Sequence, residues 1–151
     1  MTDLSGKITA YKVPEEERGE FLPKNFGISL MLQAESMIFD FMKKNIPDYT
    51  GGYYEFYQLS NGGFYMAIND ESVNIKTYNL NDTISGDAAG IIATIFTIGS
   101  LLFEDNLDII FNFNKLNKNP INFESLQNNY YNLLDYAYEH PEWEKIQKII
   151  D

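Results

Sequence analysis

The residues that could carry out acid–base or nucleophilic chemistry are few in this chain and far apart. Its single histidine, His140, precedes a proline and lies between two segments with helical patterns. A general base needs a nucleophile and an orienting partner within hydrogen-bond reach, and nothing in the sequence places either beside His140. We therefore interpret it as a loop or helix-cap residue. The sequence motifs of serine hydrolases, phosphate-binding loops and zinc proteases are also absent.

Paired carboxylates are the remaining route to catalysis, because two of them can serve a metal ion or a glycosidic bond. Glu35, Asp48 and Glu55 are the candidates, and their spacing gives no reason for them to converge. Positions on a helix surface, in a turn and on the outside of a strand explain them better. An enzyme that uses Glu35 and Glu55 is an alternative that a convergent pair in a pocket would support. We predict that the protein is not an enzyme and binds no metal and no cofactor.

The charge of the chain limits the partners that it can bind. It carries 22 acidic residues against 11 basic ones, so its formal charge is −11. This charge repels nucleic acid and attracts basic surfaces, and we predict no direct nucleic-acid binding. The acids are scattered, with Glu15–Glu17 as the one run. Solubility explains them, and an acidic face that mimics DNA is the alternative that the sequence leaves open.

Length and apolar patterning predict a single domain spanning residues 1–151. The chain has no cysteine, which excludes disulfides and thiolate metal sites, and its first residues lack a signal-peptide pattern. The uncharged stretch Ala88–Phe103 would span about 24 Å as a helix, less than the roughly 30 Å core of a membrane. We therefore predict a cytoplasmic protein, without a membrane segment, in which this stretch is a buried helix. The oligomeric state is not predicted.

The strongest local signal is a β-hairpin rich in aromatic residues. Two apolar segments, Tyr53–Leu59 and Phe64–Ile68, have the composition of strands. Residues 60–63 between them read Ser-Asn-Gly-Gly, and Asn and Gly tolerate the positive φ that tight hairpin turns require. The aromatic side chains either pack under helices or are displayed at a protein interface. Stacking on single-stranded nucleic acid would need a basic groove that the chain lacks.

The other segments complete an α+β fold. Val73–Tyr78 alternates apolar and polar residues, which predicts a third strand of the same sheet, followed by a polar loop over 79–86. Residues 105–121 show no clear pattern. Four helices are predicted from helical spacing and capping or breaking residues: 28–45, 86–104 after Ser85, 123–138 after Asn122, and the segment that follows Pro141. The architecture is a small antiparallel β-sheet with a central β-hairpin, packed against about four helices.

The N-terminal segment combines a strand-like stretch with the run of glutamates. Lys7–Val13 alternates enough to form a short strand. Glu15–Glu17 follow Pro14, a residue suited to the start of a helix, where the helix dipole favours negative charge. A helix N-terminus explains these glutamates better than the alternative, a contact for a basic partner.

The order of these segments resembles the ArdB/KlcA family of antirestriction proteins, which plasmids and other mobile elements carry. The most specific part is the block S-N-G-G-F at 60–64, following the block D-Y-x-G-G at 48–52. Residues 104–119 do not follow the family pattern. The matching residues run in order from about residue 13 to the end of the chain: Leu22-Pro23, Phe26-Gly27, Glu35, Asp48-Tyr49, Gly51-Gly52, Tyr54, Phe56-Tyr57, Leu59–Phe64, Met66, Ala88–Ile91, Tyr136-Ala137, His140–Glu142, Ile146 and Ile150-Asp151.

The resemblance implies a small α+β protein that protects incoming DNA from host type I restriction enzymes and catalyses no reaction. Its partner would be a type I restriction–modification complex or an associated host nuclease. The alternative is a regulatory or adaptor module of a mobile element that acts indirectly through another host nuclease or partner. The sequence does not predict which protein is targeted.

We hypothesise that one surface, built from the Asp48–Tyr54 loop and the Asn61–Gly63 turn, contacts this protein partner. Solvent-side loops held by glycines have no evident packing reason to be so specific. The predicted partner-binding residues are Asp48, Tyr49, Gly51, Gly52, Tyr54, Asn61, Gly62 and Gly63.

Overall fold

The computed structural model of the protein describes residues 7–49, 51, 54–103 and 122–150. Residues 105–121 and the predicted site residue Gly52 lie outside this range. A 3₁₀ turn at Glu15–Glu17 precedes the first α-helix. The strands are β1 (Ala10–Lys12), β2 (Tyr54–Leu59), β3 (Phe64–Ile68), β4 (Val73–Lys76) and β5 (Asn81–Ile84). The helices are α1 (Arg18–Phe26), α2 (Met31–Asn45), α3 (Gly86–Phe103), α4 (Phe123–Tyr138) and α5 (Trp143–Ile150).

A three-stranded antiparallel sheet, in the order β1-β2-β3, forms the centre of the fold. Strands β2 and β3 are the predicted hairpin, with Tyr54 opposite Ile68 and Gln58 opposite Phe64. Strand β1 lies on the other side of β2 and places Tyr11 opposite Gln58. The predicted α+β architecture with a central β-hairpin is confirmed.

One face of this sheet packs against α1 and α2 through aromatic rings. Phe21 of α1 stacks on Phe56, with 4.5 Å between the ring centroids. Phe39 of α2 meets the Tyr54 ring edge-on at 4.7 Å. Both geometries are favourable for aromatic pairs, so on this face the aromatic residues of the hairpin belong to the core.

The outer edge of β3 is closed by α3. Gly86, Gly90 and Thr94 follow each other at intervals of four residues, so they lie on the same side of this helix. The Met66 N–H donates to Thr94 Oγ1 at 3.3 Å, and a Cβ atom at Gly90 would overlap the Met66 carbonyl oxygen. The helix therefore occupies the place that a fourth strand would take beside β3.

The prediction that Val73–Tyr78 extends the same sheet is wrong. The strand forms as β4, but it pairs with β5 in a separate two-stranded sheet. The edge of β3 is not available to it, because α3 lies there. The predicted polar loop over 79–86 contains β5, which the sequence conceals because three of its four residues are polar and exposed.

Helix α3 is the buried helix that the sequence predicts. Ser85 caps it as expected, since the Ala88 N–H donates to Ser85 Oγ at 3.0 Å. Helices α4 and α5 pack against it and contribute fully buried apolar side chains such as Leu133, Ala137 and Ile146. Within the described ranges, none of the helices combines the length and hydropathy that crossing a bilayer requires.

Candidate partner-binding site

The first part of the predicted site is the loop that follows α2. Ile46 is buried and anchors its start, and the Tyr49 N–H donates to the Ile46 carbonyl oxygen at 3.0 Å. Asp48 is exposed between them. Gly51 is also exposed and has a φ of 89°, a backbone conformation that residues other than glycine rarely adopt. Among the described residues of the loop, Asp48 and Gly51 therefore present the accessible surface.

Tyr54, at the end of the loop, is a core residue whose hydroxyl holds the loop in place. Its side chain is buried, and its hydroxyl shares a hydrogen bond of 2.9 Å with the Tyr49 hydroxyl. Burial, and then this hydrogen bond, raises the pKa of Tyr54 well above its ordinary value. Tyr54 therefore remains neutral and supports Tyr49, which is half-buried and within reach of a partner.

A groove of about 170 Å³ lies beside this loop. Asp48 and Tyr49 line one part of it. Asp70 and Ser72 from the connection into β4, with Asn74 of β4 itself, line another. The charged side chains among these residues are both carboxylates, and the remaining polar groups include further acceptors. A basic side chain of a partner would find complementary groups in this groove.

The second part of the site is the hairpin turn, which is docked on α4. Asn61 Nδ2 donates to the Asn132 carbonyl oxygen at 2.9 Å, and Asn61 Oδ1 accepts the Gly63 N–H at 3.0 Å. Gly62 has a φ of 96°, whereas Asn61 keeps a negative φ and acts through its side chain. A Cβ atom on Gly63 would lie 3.1 Å from the Leu133 backbone nitrogen. Packing therefore explains much of the turn's sequence.

The loop and the turn lie at opposite ends of β2. That strand has six residues, so at about 3.3 Å per residue the two parts are roughly 16 Å apart. One binding surface that includes both would need a partner that spans this distance. Binding at either end stays a prediction.

A cluster of ionisable side chains that sequence reasoning missed lies at the start of α3. Tyr65 Oη donates to Asp87 Oδ1 at 2.7 Å, and His140 Nε2 lies 2.9 Å from Asp87 Oδ2. Burial, and then the nearby Asp87, raises the pKa of Tyr65. These residues come from β3, α3 and the α4–α5 connection, so no local sequence pattern could have indicated the cluster.

The same region brings a serine close to a histidine and an acid, but their connections are not those of a catalytic triad. Ser85 Oγ donates to Glu142 Oε2, not to the imidazole. His140 Nδ1 accepts the Glu142 N–H at 3.0 Å, so Nε2 carries the hydrogen that faces Asp87. Neither nitrogen is left to act as a base for the serine. The loop role predicted for His140 is confirmed.

The carboxylates considered for catalysis have separate surroundings. Glu55 lies 3.8 Å from Arg18 and 3.9 Å from Lys12. Glu35 is half-buried on α2, and Asp48 is exposed in the loop. Over the described residues, no group of three or more histidine, aspartate and glutamate side chains has an arrangement that could hold a metal ion.

Comparison with known proteins points to one family. A family model described as "Antirestriction protein" matches residues 47–151. The chain is similar to two proteins from Escherichia coli, both named antirestriction protein KlcA, at 34% and 32% identity over the whole of each chain. A solved structure matches with a TM-score of 0.73 and 31% identity, covering 100% of this chain and 98% of that one. It was described as showing, for the KlcA and ArdB proteins, a novel fold and antirestriction activity against type I DNA restriction systems in vivo but not in vitro.

Proposed function

Because this chain belongs to the antirestriction protein family, we propose that it protects mobile-element DNA from host type I restriction enzymes. It acts by contact with a protein and catalyses no reaction. The observation that carries this proposal is the full-length similarity, in sequence and fold, to proteins described as active against type I systems in vivo. Both nitrogens of His140 already have partners, Asp87 and the Glu142 N–H, which supports a non-catalytic role because neither nitrogen is free to act as a base.

Plating of unmodified phage tests the proposal directly. Two hosts that differ only in a type I restriction system each carry either this protein or an empty vector. We expect the protein to raise the plating efficiency on the restricting host towards that on the non-restricting host, and to change nothing on the latter. Phage survival equal to that of the empty vector on the restricting host would refute the proposal.

We propose the groove beside the Asp48 loop as the contact surface. Within the predicted set, Asp48, Tyr49 and Gly51 make the direct contact. Tyr54 supports these residues through the hydrogen bond between its hydroxyl and that of Tyr49. The turn residues Asn61, Gly62 and Gly63 hold the hairpin against α4 and belong to the surface only where a partner is wide enough to reach both ends of β2.

Changing Asp48 to lysine is expected to reduce protection about tenfold or more, because like charges placed opposite each other at an interface cost several kcal/mol. Asp48 is exposed, so the fold should be unaffected. The plating assay measures the effect, with far-ultraviolet circular dichroism as the check on folding. Asp135→Lys makes the same charge change on the exposed side of α4 and should protect like the wild type. Equal protection by both variants would discard the groove as the contact surface.

An indirect route is a second candidate, favoured by one observation. The KlcA and ArdB proteins were described as active in vivo but not in vitro, which fits a regulatory or adaptor module that acts through another host nuclease or partner. Co-purification from cells separates the two candidates. Direct inhibition predicts restriction subunits bound to this protein, and the indirect route predicts a different partner.

A further inference from the structure

Among the residues that the structure describes, no strand pairs with the outer edge of β1. Backbone hydrogen bonds of 2.8 Å join Thr9 and Val13 to the neighbouring strand and its turn. Backbone groups alternate in direction along an antiparallel strand, so Ala10 and Lys12 turn theirs away from β2. In the described part of the chain, no hydrogen bond reaches these outward N–H and C=O groups.

The two edges of this sheet differ in a way that bears on binding. α3 closes the β3 edge and accepts a backbone N–H there, whereas β1 is the edge on the other side. An edge with unpaired N–H and C=O groups is a template for pairing with another chain. The outward groups of Ala10 and Lys12 are spaced for that pairing, because they are two residues apart on one strand.

A groove of about 220 Å³ lies between β1 and α1. Tyr11 of β1, a residue that is 60% exposed, and Phe21 of α1 both line it. Side chains of a strand alternate between its two faces. Every second side chain of a strand added beside β1 would therefore enter this groove, where apolar ring surface and charged groups are both available.

The charges around the groove favour a basic occupant. Four glutamates lie between residues 12 and 24, and Glu55 pairs with two of the cations beside them. The groove's own lining is balanced, with Glu17 and Glu20 against Lys12 and Lys24. The excess of two negative charges around it comes from Glu15 and Glu16, which are exposed beside it. A second copy of the chain would also carry a formal charge of −11, so the two copies would repel each other.

We propose that the β1 edge binds an extended, basic segment of a partner protein, which pairs with Ala10 and Lys12 as a fourth strand. Main-chain hydrogen bonds supply the attachment in this mode of recognition, and pockets for alternate side chains supply the selectivity. Here the groove beside α1 is the pocket, and the excess negative charge of Glu15 and Glu16 beside it favours lysine or arginine. This surface goes beyond the proposed function, because its direct test needs no restriction system.

The test uses the full chain, a blocked peptide of alternating lysine and valine, and a control peptide of alternating glutamate and valine. Amide hydrogen exchange is followed by NMR. In the free protein, we expect fast exchange at Ala10 and Lys12 and slow exchange at Tyr11, whose N–H faces β2. The lysine peptide should slow Ala10 and Lys12, and the glutamate peptide should not. Slow exchange at these two amides before any peptide is added would overturn the proposal, since the edge is then covered by this chain or by a second copy.

Two substitutions at one position separate the backbone contact from the side chain. Lys12→Pro removes an outward N–H but no bond to β2, and proline is tolerated on edge strands. Lys12→Ala loses the same side chain and keeps the N–H. We expect the proline variant to bind the lysine peptide about tenfold more weakly than the alanine variant. Equal binding would reject the fourth-strand geometry. If Lys12→Pro does not fold, Ala10→Pro against Ala10→Val makes the same comparison.

Discussion

Replacing Gly90 with alanine is expected to lower the free energy of unfolding by about 3 kcal/mol, or to prevent folding altogether. The added Cβ would overlap the Met66 carbonyl oxygen and the Cα of Ala67. These are backbone atoms of β3, so relief would require α3 to leave the sheet edge, which breaks the bond from Met66 to Thr94. At an unhindered helix position, glycine to alanine would stabilise the protein by about 1 kcal/mol. A loss of stability would therefore indicate the steric overlap, and a gain would indicate its absence.

Urea unfolding followed by circular dichroism measures this loss, provided that the slope of free energy against urea is unchanged. Gly99→Ala, in the same helix, is the matched control. A Cβ there would meet the ring of Tyr130 at 3.4 Å, and we expect a change smaller than about 1 kcal/mol in either direction. Equal stabilities for the two alanine variants would contradict the close seating of α3 on β3.

The elements predicted correctly from the sequence are those with local signals. The hairpin has two aromatic strands around an Asn-Gly turn. Helix α3 contains the uncharged run Ala88–Phe103, and Ser85 directly precedes the first residue of the helix. Each signal lies within a few residues of the structure it specifies. The prediction therefore did not depend on which other segments of the chain fold against them.

The arrangement of the strands could not be predicted in the same way. Val73–Lys76 has a strand pattern that suits either sheet, and the choice depends on α3 occupying the edge of β3. The spacing of Gly86, Gly90 and Thr94 is visible in the sequence. A glycine inside a helix indicates a close contact but not its partner, so the pattern alone does not identify the sheet edge.

The candidate site was harder still, because its contacts join residues that are distant in the chain. Nothing in the sequence indicated that the turn packs against another element, yet the Asn61 side chain donates a hydrogen bond to the backbone of Asn132, 71 positions away. Ser85 and Glu142 are 57 positions apart. Among the described residues of the predicted set, only Asp48, Gly51 and Gly62 have the exposed setting that the sequence suggested for all of them.

Changing Asp87 to alanine is expected to lower the free energy of unfolding by about 2 kcal/mol, because it removes the carboxylate that accepts from Tyr65 and His140. Tyr65 is 1% exposed, and without the carboxylate its hydroxyl would keep the Tyr136 hydroxyl as its neighbour. His140 Nε2 would lose its acceptor as well. The first turn of α3 would also lose a favourable negative charge. Asp135→Ala, which removes an exposed carboxylate from α4, should change stability by less than about 0.5 kcal/mol.

A double-mutant cycle isolates the contribution of the tyrosine hydroxyl. Tyr65→Phe alone should cost about 1–1.5 kcal/mol, since it removes the donor to Asp87 and leaves the ring packing intact. In the Asp87→Ala background the same change should cost nothing or should stabilise, because the hydroxyl there is buried without its carboxylate acceptor. Urea unfolding of the four proteins gives the coupling free energy, which we expect to be about 1 kcal/mol or more. Equal costs of Tyr65→Phe in the two backgrounds would show that the hydroxyl and the carboxylate are not coupled, and that Asp87 stabilises the protein only through its helix and His140.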